Sequence, residues 1–162
     1  MKGLRESTSV SVDRPGILVF PPILLGGTML LGFALDWLHP VPLLPPTAAR
    51  LAGGALFVLS GALAYLAQQA LRRAGTNISP AQPTLALVTD GPYRRTRNPL
   101  YLAGLGVYLG VACFVNGIAP FLLLAPLAAL LDWGIVQREE RYLSAKFDAG
   151  YRAYQNQVRR WL

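Results

Sequence analysis

Four stretches of the chain are apolar on every helical face, and connections rich in proline, glycine or arginine separate them. They run over residues 17–38, 48–71, 99–115 and 118–136. A bilayer core takes about 20 mostly apolar helical residues, and a helix without a polar face has no use for a water-facing side. Each stretch therefore predicts a transmembrane helix. Pro21-Pro22 should kink the first or delay its start. Asn98-Pro99 should open the third, since Asn caps helices and Pro suits their first turn. After Val136 the pattern changes. Leu143, Phe147, Tyr151, Tyr154 and Val158 recur at helical spacing opposite charged positions, which predicts an amphipathic helix over residues 137–162, or two broken near Gly150. The expected fold is an all-α integral membrane protein in one domain, residues 1–162. It has about four transmembrane helices, a cytoplasmic loop over 72–98 and a cytoplasmic C-terminal amphipathic helix.

Composition strengthens this picture. The 162 residues are 53% hydrophobic and only 14% charged, against about one quarter charged in soluble domains, and mean hydropathy is +0.39. The opening "MKGLRESTSVSVDRPG" is polar and longer than the charged region of a signal peptide. No small-residue cleavage site follows, so the first apolar run is expected to persist as a helix. A single cysteine, Cys113, leaves no disulfide within the chain, and the one histidine, His39, lies in a proline-rich turn. No metal site is expected from such a set.

The net charge of +7 is unevenly placed. Lys2, Arg5 and Arg14 precede the first apolar run. Arg72, Arg73, Arg94, Arg95 and Arg97 fill the middle connection, and Arg138, Arg141, Lys146, Arg152, Arg159 and Arg160 follow the last run. The remaining two connections hold Arg50 and no basic residue at all. The positive-inside rule then puts both termini and the middle connection in the cytoplasm, as in a bacterial inner membrane crossed four times. Anionic lipid is the partner this charge suits, and no nucleic-acid motif accompanies it.

Chemistry concentrates at one mouth of the bundle. The four-residue turn "NGIA" makes the third and fourth helices an antiparallel hairpin, so the start of one meets the end of the other. Arg97, Tyr101, Gly104 and Tyr108 form one stripe at helical steps. Asp132, Val136 and Glu139 form another, with Glu140 beside it. Such a cluster serves either as a solvated ion-pair face at helix ends or as a site. Gly104 and Gly106 serve either close helix packing or the approach of a ligand to the backbone. With Gly110 they make G-x-G-x-x-x-G without a preceding strand, which fails the dinucleotide fingerprint.

"GPYRRTRNPLYLAGLGVYLG" resembles the signature of the isoprenylcysteine carboxyl methyltransferase and phospholipid methyltransferase superfamily. Its usual form is Gly-Pro-Tyr-x-x-x-Arg-His-Pro-x-Tyr-x-Gly. "REERYLSAKFDAGYRAYQNQVRRWL" is similar to the companion C-terminal signature, with paired glutamates, a Phe-containing turn and Tyr-x-x-Tyr. The preceding "GTNISPAQPTLALVTD" resembles the lead-in of bacterial members. The resemblance implies a membrane-embedded methyltransferase using S-adenosylmethionine on a lipophilic or small acceptor. It implies cofactor contacts from Tyr93, Arg94, Arg97, Asn98, Pro99, Tyr101, Leu102, Gly104, Gly106, Glu139 and Glu140.

The residue types fit that implication. An arginine fork suits the cofactor's carboxylate, glutamates suit its ammonium and sulfonium, and a tyrosine face from Tyr93, Tyr101 or Tyr108 suits its adenine. Glu139 and Arg138 are the expected catalytic pair, with Arg138 orienting an anionic acceptor. Asn98 stands where the family usually has His, and an amide cannot act as a base. An isoprenylcysteine carboxylate, a thiol and a phospholipid amine all remain open as acceptors. Two competing expectations are a nicotinamide-dependent enzyme like the sterol reductases, whose C-terminal hairpin is similar, and a scaffold that binds anionic lipid.

Overall fold

The computed structural model describes residues 13–162, so Lys2 and Arg5, two of the expected orienting charges, lie outside the described residues. The fold is all-helical. Helix α1 spans Pro21–Leu38, α2 Pro46–Arg73, α3 Pro99–Val115 and α4 Ile118–Leu131. A π-helical turn, Asp132–Val136, leads without interruption into α5, Gln137–Gln157.

Proline opens the first three of these helices, where its missing N–H costs nothing and its fixed φ is already helical. Each proline therefore sets a start that hydropathy alone leaves vague. Helix α2 closes with a Schellman pattern: Thr76 N–H donates to the Leu71 carbonyl at 3.2 Å and Gly75 N–H to Arg72 at 3.1 Å. Gly75 sits at φ +67, which its lack of a Cβ permits. Asn116, at φ 57, ends α3 in the same left-handed manner. Its side chain then bridges to the α1–α2 turn, with Oδ1 accepting from Leu44 N–H and Nδ2 donating to the Leu44 carbonyl, both at 2.8 Å.

Two of the sequence expectations about spans need correction. Among the described residues three helices, not four, are long and apolar enough to cross a membrane: Pro21–Leu38, Pro46–Arg73 and the continuous run Ile118–Gln157. Helix α3 has 17 residues, about 25 Å of helix against a hydrocarbon core of about 30 Å. Pro99 and the left-handed Asn116 clamp its two ends. The C-terminal segment is not a separate cytoplasmic amphipathic helix either. The π turn carries hydrogen bonding straight through Val136, so the charged half prolongs the spanning run for 40 residues in all. That run kinks at Asp148, where φ is 39 and ψ is −112.

Helix α2 packs most extensively on α3, and α1 on α4. Glycines set both crossings. A Cβ on Gly53 would lie 2.8 Å from the Gly110 carbonyl oxygen, and one on Gly32 would lie 3.2 Å from Pro120. Between the helix pairs lies a core of Tyr108, Leu127, Leu131 and Ile135, with the Tyr108 hydroxyl donating to the Pro120 carbonyl at 3.0 Å. Outside, α1 and α2 present Leu30, Leu31, Leu51, Val58 and Leu59 outward. Apolar surface on that scale is what a lipid-facing wall requires, and the protein is an integral membrane protein.

Candidate active site

One end of the bundle encloses a cavity of about 420 Å³, within the range of small-ligand sites. Its apolar side comes from the start of α1 (Phe20, Pro21, Leu25), from Leu71 of α2 and from the loop over 74–90, which lays Ile78, Leu87 and Val88 across the opening. Hydrogen bonds hold that loop in shape. The Thr76 hydroxyl accepts from Leu85 N–H at 2.8 Å, and Asn77 Nδ2 donates to the Pro83 carbonyl at 2.8 Å. Thr84 N–H donates to the Tyr142 hydroxyl at 3.1 Å, pinning the loop to α5.

The polar side is built where three elements meet: the start of α3, the start of α5 and the chain's last residues. Tyr93, Arg97, Asn98, Tyr101, Glu139 and Glu140 all line it. The Tyr101 hydroxyl donates to Glu139 Oε2 at 2.7 Å. Arg97 Nη2 stands 3.3 Å from Glu140 Oε1, with side chains only 11% and 9% exposed. Two atoms of this pair, Arg97 Nε and Glu140 Oε1, are buried without a hydrogen-bond partner among the described residues. The ion pair offsets much of the cost of burying these two charges, and the hydrogen bonds it leaves unmade keep the pair short of full satisfaction. Burial, and then the nearby Glu139 charge, push the Tyr93 phenol well above its usual range, so it remains a protonated hydroxyl at neutral pH. Tyr101→Phe should leave Glu139 Oε2 unpartnered and cost about 1.5–3 kcal/mol, read as a lower thermal midpoint in detergent.

The structure gathers some of the sequence-expected residues and not others. Arg97, Asn98, Pro99, Tyr101, Glu139, Glu140 and Tyr93 line the cavity; Arg94, Leu102, Gly104, Gly106 and Arg138 do not. Arg94 is at the surface, 3.4 Å from Asp90. Gly104 faces Leu25, and a Cβ on Gly106 would overlap the Ser60 hydroxyl of α2, so both glycines serve helix packing. Arg138 donates to the Gly16 carbonyl at 3.3 Å. Tyr108 belongs to the core. Asn98 occupies the cap position of α3 without a side-chain cap bond, and its Nδ2 donates to the Arg160 carbonyl at 3.0 Å.

The expected stripe of Asp132, Val136 and Glu139 is also broken. A π turn lags a regular helix by about one residue, or roughly 100°. Val136 is fully buried, Glu139 turns to Tyr101, and Asp132 instead shares a face with Glu140. Arg160 touches both, at 3.5 Å and 2.8 Å. Sequence reasoning placed Asp132 in the stripe but missed Arg160 as a site residue, as well as Tyr151 and Tyr154, which line the cavity from α5. The two tyrosines had a signal in the Tyr-x-x-Tyr of the C-terminal signature. The Tyr154 hydroxyl donates to the Tyr93 carbonyl at 2.7 Å, tying that helix to the short helical turn Gly91–Arg94 that precedes α3.

The chain is thus a helical membrane domain with a lipid-facing wall and a charged pocket at one end. Residues 48–150 match the model of the phospholipid methyltransferase family, and the chain belongs to that family, whose members are S-adenosylmethionine-dependent methyltransferases. It is also similar to the cobalt-zinc-cadmium resistance protein CzcN of Cupriavidus metallidurans, 36% identical over 61 residues, which is 38% of this chain. That alignment spans 28% of the relative's length.

Proposed function

We propose that this chain transfers a methyl group from S-adenosylmethionine to a lipophilic acceptor drawn from the bilayer, in the cavity between α1, α3, α5 and the loop over 74–90. One observation carries the reading: the buried Arg97–Glu140 ion pair on the cavity wall, whose Arg97 Nε and Glu140 Oε1 make no hydrogen bond among the described residues. Together they form a reader for an α-amino acid group, a guanidinium for its carboxylate and a carboxylate for its ammonium. Glu139, which bonds no cation among the described residues, adds an acidic group that suits a sulfonium. The faces of Tyr93, Tyr151 and Tyr154 suit an adenine ring.

When bound, the cofactor supplies a methyl group already activated on a sulfonium. What remains for the protein is alignment and exclusion of water. The loop over 74–90 covers the pocket, and Phe20, Pro21, Leu25 and Leu71 supply an apolar surface for the acceptor's hydrocarbon part. Asn98 carries no titratable proton, so an amine acceptor would have to give its proton to Glu139, whereas a carboxylate or thiolate acceptor would need no base. The basic residues Arg72, Arg73, Arg95 and Arg141 cluster at this end of the bundle. By the positive-inside rule they favour a cytoplasmic mouth, in a bacterial inner membrane.

Titration of the purified protein in detergent with S-adenosylhomocysteine and with NADPH tests the reading. Saturable binding of the first alone is the expected result. Binding of NADPH alone would favour a reductase, and binding of neither would favour a scaffold. Mass spectrometry of a membrane lipid extract incubated with protein and methyl-labelled cofactor would then identify the acceptor by its added labelled methyl.

A further inference from the structure

Residues 158–162 return along the polar side of the cavity and grip it at several points. The Arg159 carbonyl accepts from Arg97 N–H at 3.0 Å. The Arg160 carbonyl accepts from the Thr96 hydroxyl and from Asn98 Nδ2, both at 3.0 Å. The Arg160 side chain gives Nε and Nη2 to a single oxygen, Glu140 Oε2, at 3.2 Å and 2.8 Å. Its Nη1 stands 3.5 Å from Asp132 Oδ2. Asp132 in turn accepts from Trp161 Nε1 at 3.1 Å and from Gln137 Nε2 at 2.7 Å.

We infer that this C-terminal strap keeps the ligand-reading pair open, and that Arg160 is a positioning residue for cofactor binding, set in place by Asp132. The inference rests on the methyltransferase reading above. A guanidinium and a carboxylate left to themselves favour a bidentate, fork-to-fork pair that satisfies both and leaves nothing for a third group. Arg160 prevents that closure by saturating Glu140 Oε2, so the carboxylate can offer Arg97 only Oε1. The result is the half-made contact seen at 3.3 Å, with Oε1 and Arg97 Nε making no hydrogen bond among the described residues. The same strap anchors Arg97 by its backbone, which holds its guanidinium against the cavity. Without Arg160, Glu140 is free to rotate onto Arg97 with both oxygens. The buried charges remain paired, so the fold survives, but the reader is closed.

This role separates from plain structural support by what it moves. Arg160→Ala should weaken S-adenosylhomocysteine binding by about 10- to 100-fold, the scale of lost hydrogen bonds to a charged group. It should raise the cofactor's KM alike and leave kcat at saturating cofactor and the acceptor's KM near wild type. Arg160→Lys, which returns a cation to Oε2, should recover part of the affinity. Asp132→Asn should weaken binding through Arg160, and the double variant with Arg160→Ala should bind no worse than Arg160→Ala alone. Asn116→Ala, at the far end of the bundle, is the control: it should lower the thermal midpoint with cofactor affinity unchanged. Wild-type affinity in Arg160→Ala would overturn the strap's role while leaving the methyltransferase reading intact, as would affinity and kcat falling together in step with unfolding. Failure of the wild-type protein to bind S-adenosylhomocysteine would overturn the methyltransferase reading itself, and this role with it.

Discussion

Glu140→Ala is expected to abolish S-adenosylhomocysteine binding and to lower the protein's stability by about 3–5 kcal/mol, the cost of leaving a buried charge uncompensated. Glu140 is the anion for two guanidiniums, at 3.3 Å from Arg97 and 2.8 Å from Arg160. Most of the penalty belongs to Arg97, whose side chain is 11% exposed. Arg160 is 37% exposed and keeps both water and Asp132, so its share is small. Glu140→Gln keeps the shape and one carbonyl acceptor while removing the charge. Its stability loss should be smaller, with binding still lost, because a neutral amide cannot hold an ammonium against Arg97. Thermal unfolding in detergent alongside the ligand titration reads both effects. An unchanged midpoint in Glu140→Ala would mean that water reaches the pair, and the desolvation argument for this site would fall.

Gly53→Ala should cost about 1–3 kcal/mol, the usual range for overpacking. The new Cβ would meet the Gly110 carbonyl oxygen at 2.8 Å and Cys113 Cβ at 3.2 Å. A backbone carbonyl cannot swing aside as a side-chain tip can, so α2 and α3 must separate along their most extensive contact. Gly61 lies on the same helix with nothing within 4 Å of its Cβ position. There the same substitution should be neutral or stabilising by up to about 1 kcal/mol, from helix propensity alone. Paired midpoints for the two variants check the contrast. Equal losses would show that glycine content, not the α2–α3 crossing, governs the response.

Much of the fold was legible in the chain. The apolar runs and the starting prolines mark the helices, and α3 spans the expected residues. The short "NGIA" turn brings the start of α3 to the far end of the following helix, which is why Arg97, Tyr101, Glu139 and Glu140 share one cavity wall. Three things were not legible, each for a physical reason. Hydropathy reports how apolar a stretch is, not where hydrogen bonding stops, so the continuity through Val136 was hidden. A glycine in a helix looks the same whether its missing Cβ admits a ligand or a neighbouring helix; only the partner, Ser60 for Gly106, decides. Arg160 acts across 20 residues on Glu140, and nothing local in "VRRWL" announces so distant a partner.

The π turn at Asp132–Val136 has a consequence for anyone comparing or redesigning chains of this shape. Eight residues along a regular helix leave Asp132 and Glu140 about 80° apart, while the turn's lag of roughly 100° brings them to within about 20°. A helical wheel drawn through this stretch with uniform spacing therefore misplaces everything downstream by more than a quarter of a revolution. Sequence alignments here must treat the turn as a one-residue gap in phase even where no letter is missing, and grafts of the acidic doublet onto a plain helix will aim it at the wrong neighbours.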